Sequence, residues 1–177
     1  MGMSDGYPFT LGVVEQGGSY YLSQMTYQYR FKSTRSNHTY IVRAECFPEH
    51  VYCIKFYDKA HRNSDNKFSL LTNTFEPRTI FYTIYHIMLD VLKRDPSASF
   101  FFIGAADDHD EIGLATRRYR IYRRFTSSVV SEQLFAHFRA NDTSLYILVN
   151  KSANEDPEAI AKRITQEVQA TFGNEAT

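Results

Sequence analysis

Cysteine, glycine, proline, net charge and long apolar runs are all scarce in this chain, and each scarcity removes a class of protein. Two cysteines in 177 residues are not a disulfide framework, which in small secreted domains is far denser. Eight glycines and five prolines are too few for a fibrous chain. The longest apolar run, Phe100 to Ala106, is strand-sized and falls well short of the roughly 20 residues that a membrane span needs. Lys plus Arg number 20 and Asp plus Glu number 20, so no global basic field marks a nucleic-acid binder. G-x-S-x-G, H-E-x-x-H, the P-loop and G-x-G-x-x-G are all missing, and Gly17-Gly18 stands too early and too isolated to cradle a phosphate. The opening Met1–Pro8 has neither the basic nor the apolar segment of a secretory signal. Gly6 stands where a myristoylation pattern wants Ser or Thr. These absences lead to the expectation of a cytoplasmic protein with no cofactor and no membrane association.

What is present is a folded composition, 43% hydrophobic and 15% aromatic, in a length suited to one domain. Residues 1–19 are weakly patterned and are expected to form a loosely ordered leader with room for one short strand, with the domain proper at 20–177. From Tyr20 to Leu71 the pattern is β. Tyr27, Tyr29 and Phe31 alternate with Gln28, Arg30 and Lys32, and strands at about 39–47 and 51–58 flank Pro48-Glu49-His50. A further short strand is expected at Phe68–Leu71.

The period then turns helical. Asn73 with Glu76 resembles a capping box, Pro77 suits a first turn, and Ile80, Ile84, Ile87, Met88 and Val91 follow at three- and four-residue steps until Asp95-Pro96. Ser99–Ile103 is a continuous apolar run, the mark of a buried strand. Leu114, Ile121 and Phe125 mark a second helix. A hairpin follows around Asn141-Asp142. A last helix opens at Asp156-Pro157, carries Ile160, Ile164, Val168 and Phe172, and stops at Gly173. The expected class is α+β, a mainly antiparallel sheet with about three helices packed on one face.

Cys46, His50, Cys53 and His61 invite a zinc reading, but their spacing matches no common zinc pattern. A three-residue turn at 48–50 would set Cys46 opposite Tyr52 and Glu45 opposite Cys53. Val42, Ala44, Cys46, Tyr52, Ile54 and Phe56 would then share the apolar face. The two thiols would point to opposite faces and could neither pair nor share an ion. The expectation is one core cysteine and one half-exposed cysteine, with no metal.

The uneven region is the centre. Asp107, Asp108, Asp110 and Glu111 precede Arg117, Arg118, Arg120, Arg123 and Arg124, so a quarter of the basic residues fall on two helical turns. The ordinary explanation is a solvated helix whose charges complement its macrodipole, worth about 0.3–1 kcal/mol each. At roughly 100° per residue, Leu114, Ile121 and Phe125 would form the apolar stripe. Arg117, Arg120 and Arg124 would border it, with Arg118 inside it and Arg123 outward. Arginine's planar fork suits phosphate and carboxylate, so Arg117, Arg120 and Arg124, interleaved with Tyr119 and Tyr122, are the candidate anion- or partner-binding residues. The acidic loop offers the competing chemistry, because one or two carboxylates with substrate phosphate suffice for Mg²⁺. Asp107, Asp108 and Asp110 are its candidate ligands.

The run Asp95-Pro96-Ser97-Ala98, the apolar Phe100–Gly104 and the helix opening Thr116-Arg117-Arg118-Tyr119-Arg120 resemble a small domain-of-unknown-function family of environmental Bacteroidota. The likeness extends loosely over residues 40–150. This chain departs from it by the insertion of Asp107–Glu111. The resemblance implies the same architecture and points to Arg117 and Arg120, and it implies no activity.

The leading expectation is a non-catalytic binding or interaction domain that contacts an anionic partner (phosphate, nucleic acid or acidic protein) through the arginine helix. Tyrosines crowded into the N-terminal sheet also suggest an exposed aromatic surface and a homodimer. The alternatives are a metal-assisted phosphoester hydrolase built on the loop at 107–111 and a toxin-neutralising or phage-defence accessory protein.

Overall fold

The computed structural model describes residues 5–18, 23–63, 76–104 and 115–172. Among them seven strands form one sheet and three helices cover it, an α+β architecture. In chain order these are β1 (Phe9–Gln16), β2 (Met25–Lys32), β3 (Thr39–Phe47), β4 (Val51–Asp58), α1 (Pro77–Arg94), β5 (Ser99–Ile103), α2 (Arg117–Val129), β6 (Phe135–Ala140), β7 (Leu145–Asn150) and α3 (Pro157–Phe172). The strands lie in the order β1-β2-β3-β4-β5-β7-β6. All neighbours are antiparallel except β4 and β5, which α1 separates in the chain. No helix among the described residues is long and apolar enough to cross a membrane.

Within residues 1–19, where the sequence allowed one short strand in a loose leader, β1 forms an edge strand of eight residues. β1 pairs with β2 along its whole length, with a bulge between Leu11 and Val13. Its start is pinned by Tyr7. The Tyr7 ring stacks on Phe31, its amide donates to Thr83 Oγ1 (2.7 Å), and its hydroxyl donates to Glu76 Oε2 (2.5 Å). Ser33 and Ser36 also donate to this almost fully buried carboxylate, at 2.8 and 2.9 Å. A tyrosine ring brings large apolar area together with a polar tip, and here both halves are used to hold the chain before β1.

The β3–β4 register is the expected one, with Cys46 opposite Tyr52 and Glu45 opposite Cys53. The turn between them places Glu49 and His50 at φ of +65° and +62°, a conformation that side chains other than glycine rarely adopt. Two contacts hold it. Glu49 pairs with Arg163 of α3, and His50 Nδ1 lies 2.7 Å from Asp95 Oδ2, which also accepts from the Tyr52 hydroxyl at 2.9 Å. Cys46 and Cys53 are both free and both buried, on opposite faces, so Cys53 is not the half-exposed residue expected. Burial pushes the Cys53 thiol up to about 12 and raises Cys46 as well.

The helices do not share one face. α1 and α2 pack on the face formed by Tyr29, Tyr40, Val42, Ala44, Tyr52, Ile54, Phe100 and Leu148. α3 brings Ala161, Ile164 and Val168 to the opposite face, against Phe47, Val51, Cys53, Phe101, Ile147 and Val149. The reason lies in the continuous apolar runs of β5 and β7, in which successive residues point to opposite sides and both sides need cover. On α1 the buried residues include all five expected ones, Ile80, Ile84, Ile87, Met88 and Val91. The expected strand at Phe68–Leu71, the Asn73 cap and the stop at Gly173 lie outside the described residues.

If both faces are true cores, Ile87→Ala on one side and Ile164→Ala on the other each cost about 2–5 kcal/mol. Urea denaturation checks this, and a loss under 1 kcal/mol for Ile164→Ala would show that α3 is not a core element.

Candidate functional site: the arginine face of α2

The position of α2 is set by three small contacts at its start. Thr116 caps the helix, its Oγ1 accepting from the Tyr119 amide (3.1 Å) and donating to the Gly104 carbonyl (2.8 Å). The Thr116 amide donates to Ser144 Oγ at 3.0 Å. Gly104, at the end of β5, lies so near that a Cβ there would fall 2.5 Å from the Cβ of Tyr119, closer than non-bonded carbons approach. The Gly104, Thr116 and Tyr119 of the motif read in the sequence therefore come together as a joint between sheet and helix.

That joint turns the helix away from the expected orientation. Its buried residues are Arg118, Tyr119, Tyr122 and Thr126, while Ile121 and Phe125 are only partly buried. Leu114 lies outside the described residues. Relative to a stripe of Leu114, Ile121 and Phe125, the buried side is rotated by roughly 80° at 100° per residue. Arg117, Arg120 and Arg124 consequently leave the border and fall on the outermost face, roughly opposite Tyr122. All three are exposed, as is Arg123.

Tyr119 departs from its expected role. It is fully buried, and its hydroxyl donates to Asn141 Oδ1 at 2.8 Å. Tyr122 is buried too, and burial pushes its hydroxyl up to about 12. Neither ring is offered to a base or a partner, because both are spent on the core that Phe56, Phe81 and Phe102 complete around Tyr122.

Arg118 is buried, as its place inside the apolar stripe implied, with its guanidinium carbon 5.5 Å from the Phe56 ring centre. Such a cation–π contact is worth about 0.5–2 kcal/mol depending on desolvation. The outer arginines differ. Arg120 donates to the Ala115 carbonyl at 2.9 Å and Arg123 reaches Asn141 Oδ1 at 3.4 Å. A fifth exposed arginine, missed in the sequence because it lies on the edge strand β6, joins them: Arg139 donates to Ser127 Oγ of α2 at 2.9 Å. Ser127 Oγ lies 3.2 Å from the Tyr146 hydroxyl, which is 2.6 Å from His137 Nδ1. Burial lowers the pKa of His137 below the usual histidine value, which favours the neutral ring, and the ring braces the hairpin under Arg139.

Among the described residues, Arg120, Arg123, Arg124 and Arg139 take part in no ion pair. The acidic loop with Asp107, Asp108 and Asp110 lies outside the described residues, and no group of His, Cys, Asp and Glu within them has the arrangement of a metal site. Compared with protein-family models, curated proteins and solved structures, the chain matches none.

The contrast between inner and outer arginines is measurable. Arg118→Ala is expected to lower stability by about 1.5–3 kcal/mol, as loss of a buried charged hydrogen-bonding group does, whereas Arg120→Ala and Arg124→Ala stay within about 0.5 kcal/mol of wild type. Thermal melts of the three variants test this, and superimposable melts would place Arg118 with the solvated residues.

Proposed function

We propose that this protein is a non-catalytic binding domain that holds an anionic partner against the outer face of α2, with Arg120, Arg123 and Arg124 from the helix and Arg139 from β6 as the contacting groups and Arg117 at the rim. The observation that carries the reading is that these four exposed arginines converge on one surface without an ion-pair partner among the described residues. Like charges gathered on a chain of zero net charge repel one another, and an opposing anion removes that repulsion. Guanidinium forks favour phosphate and carboxylate oxygens. With Tyr119 and Tyr122 buried, no exposed ring among the described residues of this face remains to stack on bases, so the phosphate backbone of a nucleic acid suits it better than unpaired bases.

Fluorescence anisotropy with a labelled, random-sequence DNA duplex tests the proposal. Affinity should fall with salt at a log–log slope of about −3 to −4, near −0.9 per phosphate contacted. Arg124→Ala and Arg139→Ala should each reduce that slope by about one. Absence of binding to both the duplex and polyglutamate at about 50 mM salt, where weak screening favours such binding most, overturns it. Binding to polyglutamate without binding to the duplex would instead assign the face to an acidic protein.

A homodimer belongs to this reading on different grounds from those expected. Tyr29, Tyr40, Tyr52 and Tyr57 are inside the core and give no aromatic surface for self-association. β1, however, is an edge strand with Val13 and Val14 about half exposed, at 45% and 50%, and an open edge pairs readily with another chain. Light scattering should give twice 20.6 kDa for the wild type and half that for a Val13→Lys, Val14→Lys variant. A monomer at every concentration would remove the homodimer.

A further inference from the structure

The face of the sheet that α3 covers in part carries two polar clusters, and they are built on opposite principles. Near the middle, Arg43 reaches Glu15 and Glu45 (both 3.2 Å) and Gln28 (3.0 Å), and Lys55 lies 3.1 Å from Glu45. Every cation of that cluster has a carboxylate. One step further along the same strands, no acid is found among the described residues that line this face of the sheet. The register sets Thr10 of β1 beside Arg30 of β2, and Lys32 of β2 beside Thr39 of β3. Lys59, next after β4, continues the row from Thr39. These side chains alternate onto the same face as Arg43 and Glu45, because positions 30 and 32, 39 to 45, and 55 to 59 keep the same parity across paired strands.

Arg30, Lys32, Lys59, Thr10 and Thr39 line a cavity of about 350 Å³ that is open to solvent, within the range of small-ligand sites. All five bring donors and none is an acid. Arg30, Lys32 and Lys59 are exposed and take part in no ion pair among the described residues. The nearest acid in the chain, Asp58, cannot serve them. Its side chain turns to the other face, where it pairs with His38 and accepts from the Ala60 amide at 3.0 Å. Adjacent like charges across strands are destabilising unless something opposes them. Pro8, just before β1, also lines the cavity.

We propose that this cavity is a second binding site, for a small diphosphate whose phosphate groups sit among Arg30, Lys32 and Lys59, with Thr10 and Thr39 as hydroxyl donors. It lies on the opposite face of the sheet from α2 and depends on different residues. Three cations match a diphosphate better than a monoanion, and the open mouth matches a ligand that enters from solution.

Isothermal titration of the full chain with inorganic pyrophosphate, at constant ionic strength, tests the site. The expected result is saturable binding that weakens at least tenfold in Arg30→Ala and in Lys59→Gln and is unchanged in Lys162→Gln, at an exposed lysine of α3 that belongs to neither site. No saturable binding, or binding insensitive to Arg30 and Lys59, overturns the proposal. Equal weakening by Lys162→Gln and Lys59→Gln also overturns it, since it would show diffuse attraction by the whole surface. Because the three cations are exposed, Lys59→Gln should melt as the wild type does, and it carries the test if Arg30→Ala fails to fold.

Discussion

Most of this structure follows from the need to cover β5 and β7 on both sides. A strand points successive side chains in opposite directions, so a run such as Phe100-Phe101-Phe102 sends apolar area to both faces at once. Phe100 lies in the core under α1 and α2, and Phe101 lies in the core under α3. Burial of each such ring contributes about 1.5–3 kcal/mol. The parallel pairing of β4 with β5 has the same origin, since α1 lies between them in the chain and packs over the sheet.

Covering the sheet twice decides where charge is left. The first face is closed by α1 and α2, and the arginines of α2 that cannot enter the core are displayed outward together. The second face is covered by α3 over β5 and β7, and towards β1–β3 it carries polar residues. There the chain neutralises one group of cations with Glu15 and Glu45 and leaves Arg30, Lys32 and Lys59 around a cavity. A neutral total charge thus conceals two cationic surfaces. The net figure excludes a global field but says nothing about local ones, because charges separated by more than a Debye length of about 8 Å are largely screened from each other.

Tyrosine links the layers. Tyr29 and Tyr52 lie in the core while their hydroxyls reach Asp90 and Asp95 at 2.7 and 2.9 Å, near the C-terminal end of α1. Tyr7 does the same for Glu76 just before that helix, and Tyr119 and Tyr146 tie α2 to the β6–β7 hairpin. The large aromatic content therefore serves internal joints in which one residue fills space and also satisfies a polar group. An excess of tyrosine in a sequence is consequently weak evidence for an aromatic surface.

Periodicity determined what depends on neighbours in the chain. The α1 stripe, the opposite facing of Cys46 and Cys53, the β6–β7 hairpin and the α+β class could all be read directly, because helix and strand periods are local properties. The continuous apolar run of β5 also contained the two-faced cover, although one face alone was expected. Tertiary contacts decided the rest. α2 has no clean apolar stripe, so its rotation was set by Gly104 and Ser144 at its start and by Phe56 and Phe81 beneath it. That rotation buried Tyr119 and moved Arg117, Arg120 and Arg124 fully outward. Arg139 joined them, and Arg30, Lys32 and Lys59 met around one cavity, only because strands distant in sequence pair in a particular register. Register and helix rotation are properties of the assembled sheet, and no single stretch of the chain contains them.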